Sequence, residues 1–260
     1  MLLSHRHGFL FVHVAKTGGT SVRAALSKGR WTDPLTWPLL LTSRMSRLTG
    51  HRIGAKIPRH AGVVAAKEML PPDCFAQLFK FAFVRNPWDR LVSAYHHFQR
   101  ERKDVMESEG IADFASFVEF ILNVAPETTV RGTLVQAMQR PQLESLVGLG
   151  GALLVDYVGR YETLEEHFSV VTERIGLTSL KLPHRRDSKS ARDYREYYTD
   201  RLAEEVGIHF ADDIQAFQYE FDGNLTSRSD DVPILPKFSG PAIAGRIEAT
   251  EPSPRGGAMS

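Results

Sequence analysis

The most constraining feature of this sequence is a short apolar run followed at once by a turn that contains two glycines. Residues Phe9–Val14 are mostly aromatic or β-branched, which predicts a buried β-strand. The turn Ala15–Ser21 follows, and after it Val22, Ala25 and Leu26 recur at helical spacing. Strand, glycine turn and helix in this order predict an anion site, because backbone N–H groups converge at the start of the helix and its dipole adds positive charge.

Strands and helices alternate along the rest of the chain, and this pattern is typical of a parallel α/β sheet. Asn86 is suited to cap a helix over residues 88–102, and Pro87 suits its first turn. Further strands are predicted at Phe79–Val84 and Val155–Arg160, and further helices at Leu39–Leu48, Ala61–Leu70, Phe114–Leu122 (capped by Asp113), Leu164–Ile175 (ended by Gly176), Thr199–Val206 and Phe210–Phe217.

We therefore expect one α/β domain over residues 1–221, with a central parallel β-sheet flanked by helices. Residues 222–260 contain five Pro and five Gly and show no sustained period. This composition predicts a disordered C-terminal tail.

The charges of the chain are unevenly distributed, although its formal net charge is only +1. Residues 1–67 hold eleven Lys/Arg against one acid, Asp33, while the remainder holds 21 Lys/Arg and 30 acids. This asymmetry indicates an anionic ligand for the N-terminal part, or else a solvated basic surface balanced by acidic helices. The single cysteine, Cys74, excludes an internal disulfide and a Cys-rich zinc site. No run approaches the ~20 apolar residues of a membrane span, so a cytoplasmic location is expected.

The glycine turn also offers a lysine and hydroxyls to a tetrahedral anion. These are Lys16, Thr17, Thr20 and Ser21, beside the backbone of Gly18 and Gly19. The nucleotide-binding P-loop, G-x-x-x-x-G-K-[ST], has its lysine after the glycines, whereas here it comes before them. That order disfavours an ATP or GTP hydrolase.

Three segments together resemble sulfotransferases, in particular the carbohydrate sulfotransferase branch (sulfotransferase family 2). His13–Ser21 is similar to the 5′-phosphosulfate loop H-I-P-K-T-G-G-T-S, with Ala15 in place of the usual proline. Phe81–Tyr95 matches the 3′-phosphate motif nearly residue for residue, and Tyr157–Glu166 is a weaker match to the segment under the adenine. The resemblance spans residues 8–221 and implies a P-loop nucleotide-kinase-like three-layer sandwich.

The resemblance implies that the chain binds 3′-phosphoadenosine 5′-phosphosulfate (PAPS) and releases 3′-phosphoadenosine 5′-phosphate (PAP). It implies that the glycine turn binds the phosphosulfate, and that Arg85 and Ser93 bind the 3′-phosphate. The residue types agree, since Arg85 follows the carboxyl end of a predicted strand and its planar fork suits a phosphate. Tyr161 is a candidate for the adenine or a core residue. In the basic segment 181–195, Arg185, Arg186, Lys189 and Arg192 are cofactor candidates, or a solvated charge run.

Catalysis of sulfuryl transfer is expected to need a positive group and a base. Lys16 can neutralise charge on the departing phosphate oxygen, as in phosphoryl transfer. His60 is the expected base for the acceptor hydroxyl, because an ordinary imidazole pKa lies near neutrality. His13 is its competitor, while His96 and His97 are expected at the surface. Asp89 is expected to be a structural partner, and no metal is expected.

The predicted function is therefore transfer of a sulfuryl group from PAPS to a hydroxyl, with a carbohydrate or glycoconjugate as the expected acceptor. Two alternatives stay open at the level of sequence. One is a nucleotide-dependent kinase with a P-loop-like site, and the other is a non-catalytic polyanion-binding protein. Nucleic acid is not an expected partner, and the sequence leaves the oligomeric state open.

Overall fold

The computed structural model describes residues 1–27, 41, 59–123, 133–183 and 193–223. This part of the chain holds four strands and ten α-helices. The strands are β1 (Leu2–Ser4), β2 (Phe9–Val12), β3 (Phe79–Val84) and β4 (Tyr157–Arg160). The α-helices are α1 (Gly19–Leu26), α2 (Val63–Met69), α3 (Pro72–Gln77), α4 (Pro87–Glu101), α5 (Lys103–Ser108), α6 (Phe114–Asn123), α7 (Thr133–Gln139), α8 (Leu164–Arg174), α9 (Asp200–His209) and α10 (Ala211–Phe217). Two 3₁₀ helices lie at Leu143–Ser145 and Tyr194–Tyr197.

The strands form one mixed sheet in the order β1-β2-β3-β4. β2, β3 and β4 run parallel, with Phe9 opposite Phe79 and Phe81 opposite Tyr157. Their carboxyl ends therefore meet at one edge of the sheet, where open α/β sheets bind ligands. β1 runs antiparallel to β2.

Side chains alternate along every strand, and here the side chains of both faces are mostly apolar. Helices therefore cover both faces of this sheet. On one face Leu10, Val12, Ala82 and Val84 join a core with residues of α2, α4, α6 and α9. On the other face the five phenylalanines of β2 and β3 pack against α1 and α8, although Phe79 is only partly buried. The result is a single α/β domain.

The predicted parallel sheet is confirmed for β2, β3 and β4, and β1 is an antiparallel strand that was not predicted. β1 pairs antiparallel at the edge, and Met1 and Leu2 are buried. A three-residue strand is too short to show a period of two, so its pattern carried no signal. β3 has the predicted boundaries, and α4 begins at Pro87 with the Asn86 side chain accepting from the N–H groups of Trp88 and Asp89.

Other predicted elements agree or fall outside the described residues. Asp113 accepts from the Ser116 N–H at the start of α6, and Gly176 follows α8 with φ +70°. The predicted helix 39–48 and the predicted tail beyond residue 223 lie outside the described residues. Within the described ranges, no helix is long and apolar enough to cross a membrane.

Candidate active site

The turn between β2 and α1 forms the floor of the candidate site. Lys16 and Gly18 both have left-handed backbone conformations, with φ of 66° and 74°. Gly18 occupies the N-cap position of α1 and has no side chain with which to satisfy the first N–H groups of the helix. The Ser21 N–H donates to the Gly18 carbonyl at 2.9 Å, while the N–H groups of Gly19 and Thr20 have no side-chain cap and can bind an anion.

The two glycines are also required by close packing. A Cβ built on Gly18 would lie 2.7 Å from Leu164 Cδ2 and 3.0 Å from Tyr161 Cδ2, so residues that follow β4 pack directly against the turn. A Cβ built on Gly19 would overlap the His13 ring. The turn can thus hold its shape only with glycine at both positions.

The hydroxyls of the turn have different environments. Thr17 is fully buried, and its hydroxyl donates to the Val14 carbonyl at 3.1 Å, so it fastens the turn to the end of β2. Thr20 is exposed and Ser21 is half-buried in the first turn of α1. The last two are therefore the hydroxyls that an incoming ligand can reach most directly.

Arg85 connects the turn to β3. Its Nη1 donates to the Lys16 carbonyl at 3.3 Å, 69 residues away in sequence, and its Nε donates to Asp89 Oδ2 at 2.7 Å. The guanidinium also lies over the Tyr161 ring, 4.1 Å from its centroid. Burial alone would lower the pKa of Arg85, but the charge and hydrogen bond of Asp89 raise it, so the group stays charged.

Lys16 is half-buried between Arg85 and the carboxyl-terminal part of α4. Burial lowers the pKa of Lys16 to about 8, and the positive charges of Arg85 and Arg100 act in the same direction. A bound phosphate-like anion would raise the pKa of Lys16 again, because opposite charge favours the protonated amine. Lys16 is therefore a cation without enough negative charge around it.

One face of α4 lies along the site. Asp89, Ser93 and His97 repeat every four residues and are all half-buried, whereas the intervening apolar residues face the core. The pKa of His97 is lowered first by burial and then by the charge of Lys16, so the two side chains are near neighbours. His97 was expected at the surface, although its spacing of four from Ser93 could have identified it. His96, also expected there, is half-buried, and its Nε2 lies 2.9 Å from the Tyr197 hydroxyl.

His60 and His13 are in contact behind the turn. Their ring centroids are 4.9 Å apart, and His60 Nδ1 lies 3.4 Å from the His13 carbonyl oxygen. A proton on Nδ1 can donate to that carbonyl and leave Nε2 of His60 as an acceptor. Burial lowers the pKa of His60, and burial together with the neighbouring His60 lowers the pKa of His13 to about 3.

A buried polar network, which no sequence pattern predicted, supports Arg85 and the turn. Gln142 and Asp213 are fully buried and lie far apart in sequence, and Arg90 is 1% exposed. Arg90 Nε donates to the Ala15 carbonyl at 3.2 Å, while Gln142 bonds the backbone of Arg85. None of these residues belongs to a local pattern, so only the tertiary fold identifies them.

Four predicted cofactor residues, Arg185, Arg186, Lys189 and Arg192, lie outside the described residues. The described chain resumes at Asp193, next to the 3₁₀ helix that contains Tyr194. The Asn86 side chain lies 3.4 Å from the Tyr194 hydroxyl. Tyr194, near the end of the basic segment, is thus next to the residue that follows Arg85.

Within the described part of the chain, no cluster of three or more His, Cys, Asp or Glu side chains is arranged to hold a metal ion.

Comparison with known proteins identifies the family. The sequence model of the Sulfotransferase family matches residues 1–220. The chain belongs to the Sulfotransferase family. Within it, the chain is similar to carbohydrate sulfotransferase 14 of Danio rerio, with 24% identity over 200 residues that cover 68% of this chain and 48% of that protein. These two matches place the chain in the carbohydrate sulfotransferase-like branch.

This sulfotransferase-family chain is also similar to an uncharacterized protein of Archaeoglobus fulgidus, with 31% identity over 97 residues. That match covers 37% of this chain and 67% of the archaeal protein. The chain spans about half the length of the Danio rerio relative. No solved structure matches it, and the likeness to nucleotide kinases stays a prediction.

Proposed function

We propose that this protein transfers a sulfuryl group from PAPS to a hydroxyl of a carbohydrate or glycoconjugate. The observation that carries the proposal is the contact between Arg85 and Lys16. It brings the two longest motifs together at the carboxyl edge of the parallel strands, with positive groups on both. A nucleotide with phosphates at both the 5′ and the 3′ position requires two such groups at one edge.

The 5′-phosphosulfate is assigned to the turn, with the backbone of Gly18 and Gly19 and the hydroxyls of Thr17, Thr20 and Ser21 around it. Open N–H groups at the start of α1 favour this position. Thr17 contributes mainly by fastening the turn, because its own proton is given to Val14.

The 3′-phosphate is assigned to Arg85 and Ser93. Arg85 has one nitrogen on Asp89 and one on the Lys16 carbonyl, so a phosphate would share the guanidinium fork with these partners. Tyr161 lies on the Arg85 guanidinium and beside Gly18, which supports a place for this ring near the adenine. Arg185, Arg186 and Lys189 are proposed as further phosphate ligands.

The reaction is an in-line displacement at sulfur. The acceptor oxygen forms a bond to sulfur while the bond from sulfur to the bridging phosphate oxygen breaks, and PAP leaves with the electron pair. Lys16 stabilises the charge that develops on the departing oxygen, and its burial increases the strength of this interaction.

His60 is proposed as the base that takes the proton of the acceptor hydroxyl. A lowered pKa keeps its imidazole neutral, and the His13 carbonyl selects the tautomer in which Nε2 can accept a proton. His13 is the poorer candidate, because its ring is 5% exposed and packed against Gly19. It serves to hold His60 and the turn.

Thermal unfolding with nucleotides tests this function. A ligand that binds only the native state raises the melting temperature. PAP should raise it more than AMP at equal concentration, because only PAP carries the 3′-phosphate, and Arg85→Lys should abolish the difference. Arg201→Ala, an exposed arginine on α9, is the control and should bind PAP as the native protein does.

Two outcomes would favour the alternatives. A larger shift with ATP and Mg²⁺ than with PAP would indicate a kinase. Binding of sulfated polymers with steep salt dependence and no effect of PAP would indicate a polyanion-binding protein. Transfer of labelled sulfate from PAPS to a panel of carbohydrates then tests the acceptor.

A further inference from the structure

We infer that Gln142 is a positioning residue that makes the site selective for a 3′-phosphorylated nucleotide, by fixing the backbone of Arg85. The inference rests on the proposed function, because it assigns a role to the residue that is proposed to bind the 3′-phosphate. It depends on bonds at the end of β3, where Arg85 leaves the sheet.

The Gln142 carboxamide takes the place of a neighbouring strand. Its Oε1 accepts from the Arg85 N–H at 2.9 Å, and its Nε2 donates to the Arg85 carbonyl at 2.8 Å. β2 ends at Val12, opposite Ala82, and its chain turns away into the glycine turn. Without Gln142, the backbone N–H and carbonyl of Arg85 would have no hydrogen-bond partner on that side. Buried backbone groups need such partners.

Asp213 fixes the orientation of Gln142. Its Oδ2 accepts from the Gln142 backbone N–H at 2.8 Å and lies 3.2 Å from Gln142 Nε2, and its Oδ1 accepts from the Leu143 N–H at 2.9 Å. Burial raises the pKa of Asp213, but the charge of Arg90 and these N–H donors oppose the rise. A buried carboxylate with these bonds leaves the carboxamide one low-energy orientation.

This network determines the direction of the Arg85 side chain. Only a fixed backbone lets the guanidinium bond Asp89 and the Lys16 carbonyl and lie over the Tyr161 ring at the same time. A guanidinium displaced by about 1 Å would lose its alignment with a phosphate, and errors of this size are costly. Gln142 itself is fully buried and does not face the ligand.

The test is calorimetric binding of PAP and of AMP to the native protein, Gln142→Met and Lys80→Met. Methionine matches the length of glutamine, is one atom shorter than lysine, and removes the hydrogen bonds of both side chains. In Lys80→Met the ion pair with Asp156 is lost as well. Lys80 is a matched control, because it too is buried and donates to backbone carbonyls, those of Leu78 and Phe75, but at the opposite end of β3.

Gln142→Met should weaken PAP binding about tenfold or more, which is ~1.4 kcal/mol, and should leave AMP binding within about twofold, since only PAP uses Arg85. Lys80→Met should lower the melting temperature but keep the native preference for PAP over AMP. An unchanged preference in Gln142→Met, or an equal loss for both nucleotides, would overturn the inference.

Gln142→Asn provides a second variant if Gln142→Met does not fold. Its carboxamide is one methylene too short to reach both backbone atoms of Arg85, and the same two criteria apply to it. A native protein that shows no preference for PAP contradicts the proposed function itself. That result is obtained before any variant is compared, so the two failures are distinct.

Discussion

The His13 imidazole occupies the space beside Gly19 that any other residue at position 19 would fill with its Cβ. Through this contact the end of β2 supports the first turn of α1. The same ring stacks on Phe11 at 5.7 Å and lies 4.9 Å from the His60 ring. One small residue therefore connects the candidate anion site with the candidate base.

Gly19→Ala should destabilise the fold, because the added methyl group must displace a buried ring. Overpacking of this kind costs ~1–3 kcal/mol, to be measured by urea unfolding. Gly150→Ala is the control, since a Cβ there meets nothing within 4 Å. His13→Ala should rescue part of the loss; equal stability of Gly19→Ala and the native protein would show that the ring can move.

Acid should destabilise the protein through His13. Its pKa is about 3 in the folded state, against an ordinary value of 6.5, so the unfolded chain binds a proton that the native ring does not. Stability is then full above pH 6.5 and falls as the pH drops, by up to about 1.4 kcal/mol for each pH unit. His60, with a lowered pKa, acts in the same direction.

Urea unfolding between about pH 7 and pH 5 measures this slope. His13→Gln, which does not titrate, should make the slope shallower. A slope that is the same in His13→Gln and in the native protein would contradict the assignment to His13.

Turnover should depend on pH as a bell-shaped curve. His60 must be neutral to accept a proton, so the rate rises through its lowered pKa, below pH 6.5. Lys16 must be charged, so kcat/KM, which reports the enzyme without bound nucleotide, falls near the Lys16 pKa of about 8. Lys16→Arg should move the alkaline limb to higher pH, because a guanidinium stays protonated.

His60→Ala should lower kcat by about 10²–10⁴-fold, the usual contribution of a general base. It should also remove the acid limb and leave PAP affinity nearly unchanged. His7→Ala is the control and should retain the native profile. Native turnover in His60→Ala would exclude this residue as the base and would favour His13 instead.

The sequence predicted elements whose signals are local. β3 and α4 follow from an apolar run and a capped amphipathic stripe, and their residues Arg85, Asp89 and Ser93 could be placed in advance because they follow the strand or repeat along the helix. The contact between Arg85 and Lys16 follows from parallel strands that end at one edge.

What the sequence did not predict depends on distant partners. Gln142 lies in a segment without a period, and Asp213 lies on a helix where an acid looks like a surface residue. Arg90 looks like an exposed charge near the start of α4, yet it is buried. Their positions are decided by which backbone groups the fold leaves unpaired, and no local pattern records this.

Arg90 is expected to stabilise both the fold and the glycine turn. Its guanidinium donates to the carbonyls of Ala15 and Ala137 at 3.2 and 2.5 Å, and burial lowers its pKa to about 10, with Asp213 opposing. Arg90→Met would leave these carbonyls unpaired and the Asp213 carboxylate uncompensated, so we expect a loss of ~3–5 kcal/mol in urea unfolding. The exposed Arg201→Ala should change stability by no more than about 0.5 kcal/mol. Because Arg90 also holds the glycine turn, PAP binding should weaken together with stability; a stable Arg90→Met protein that binds PAP normally would contradict both expectations.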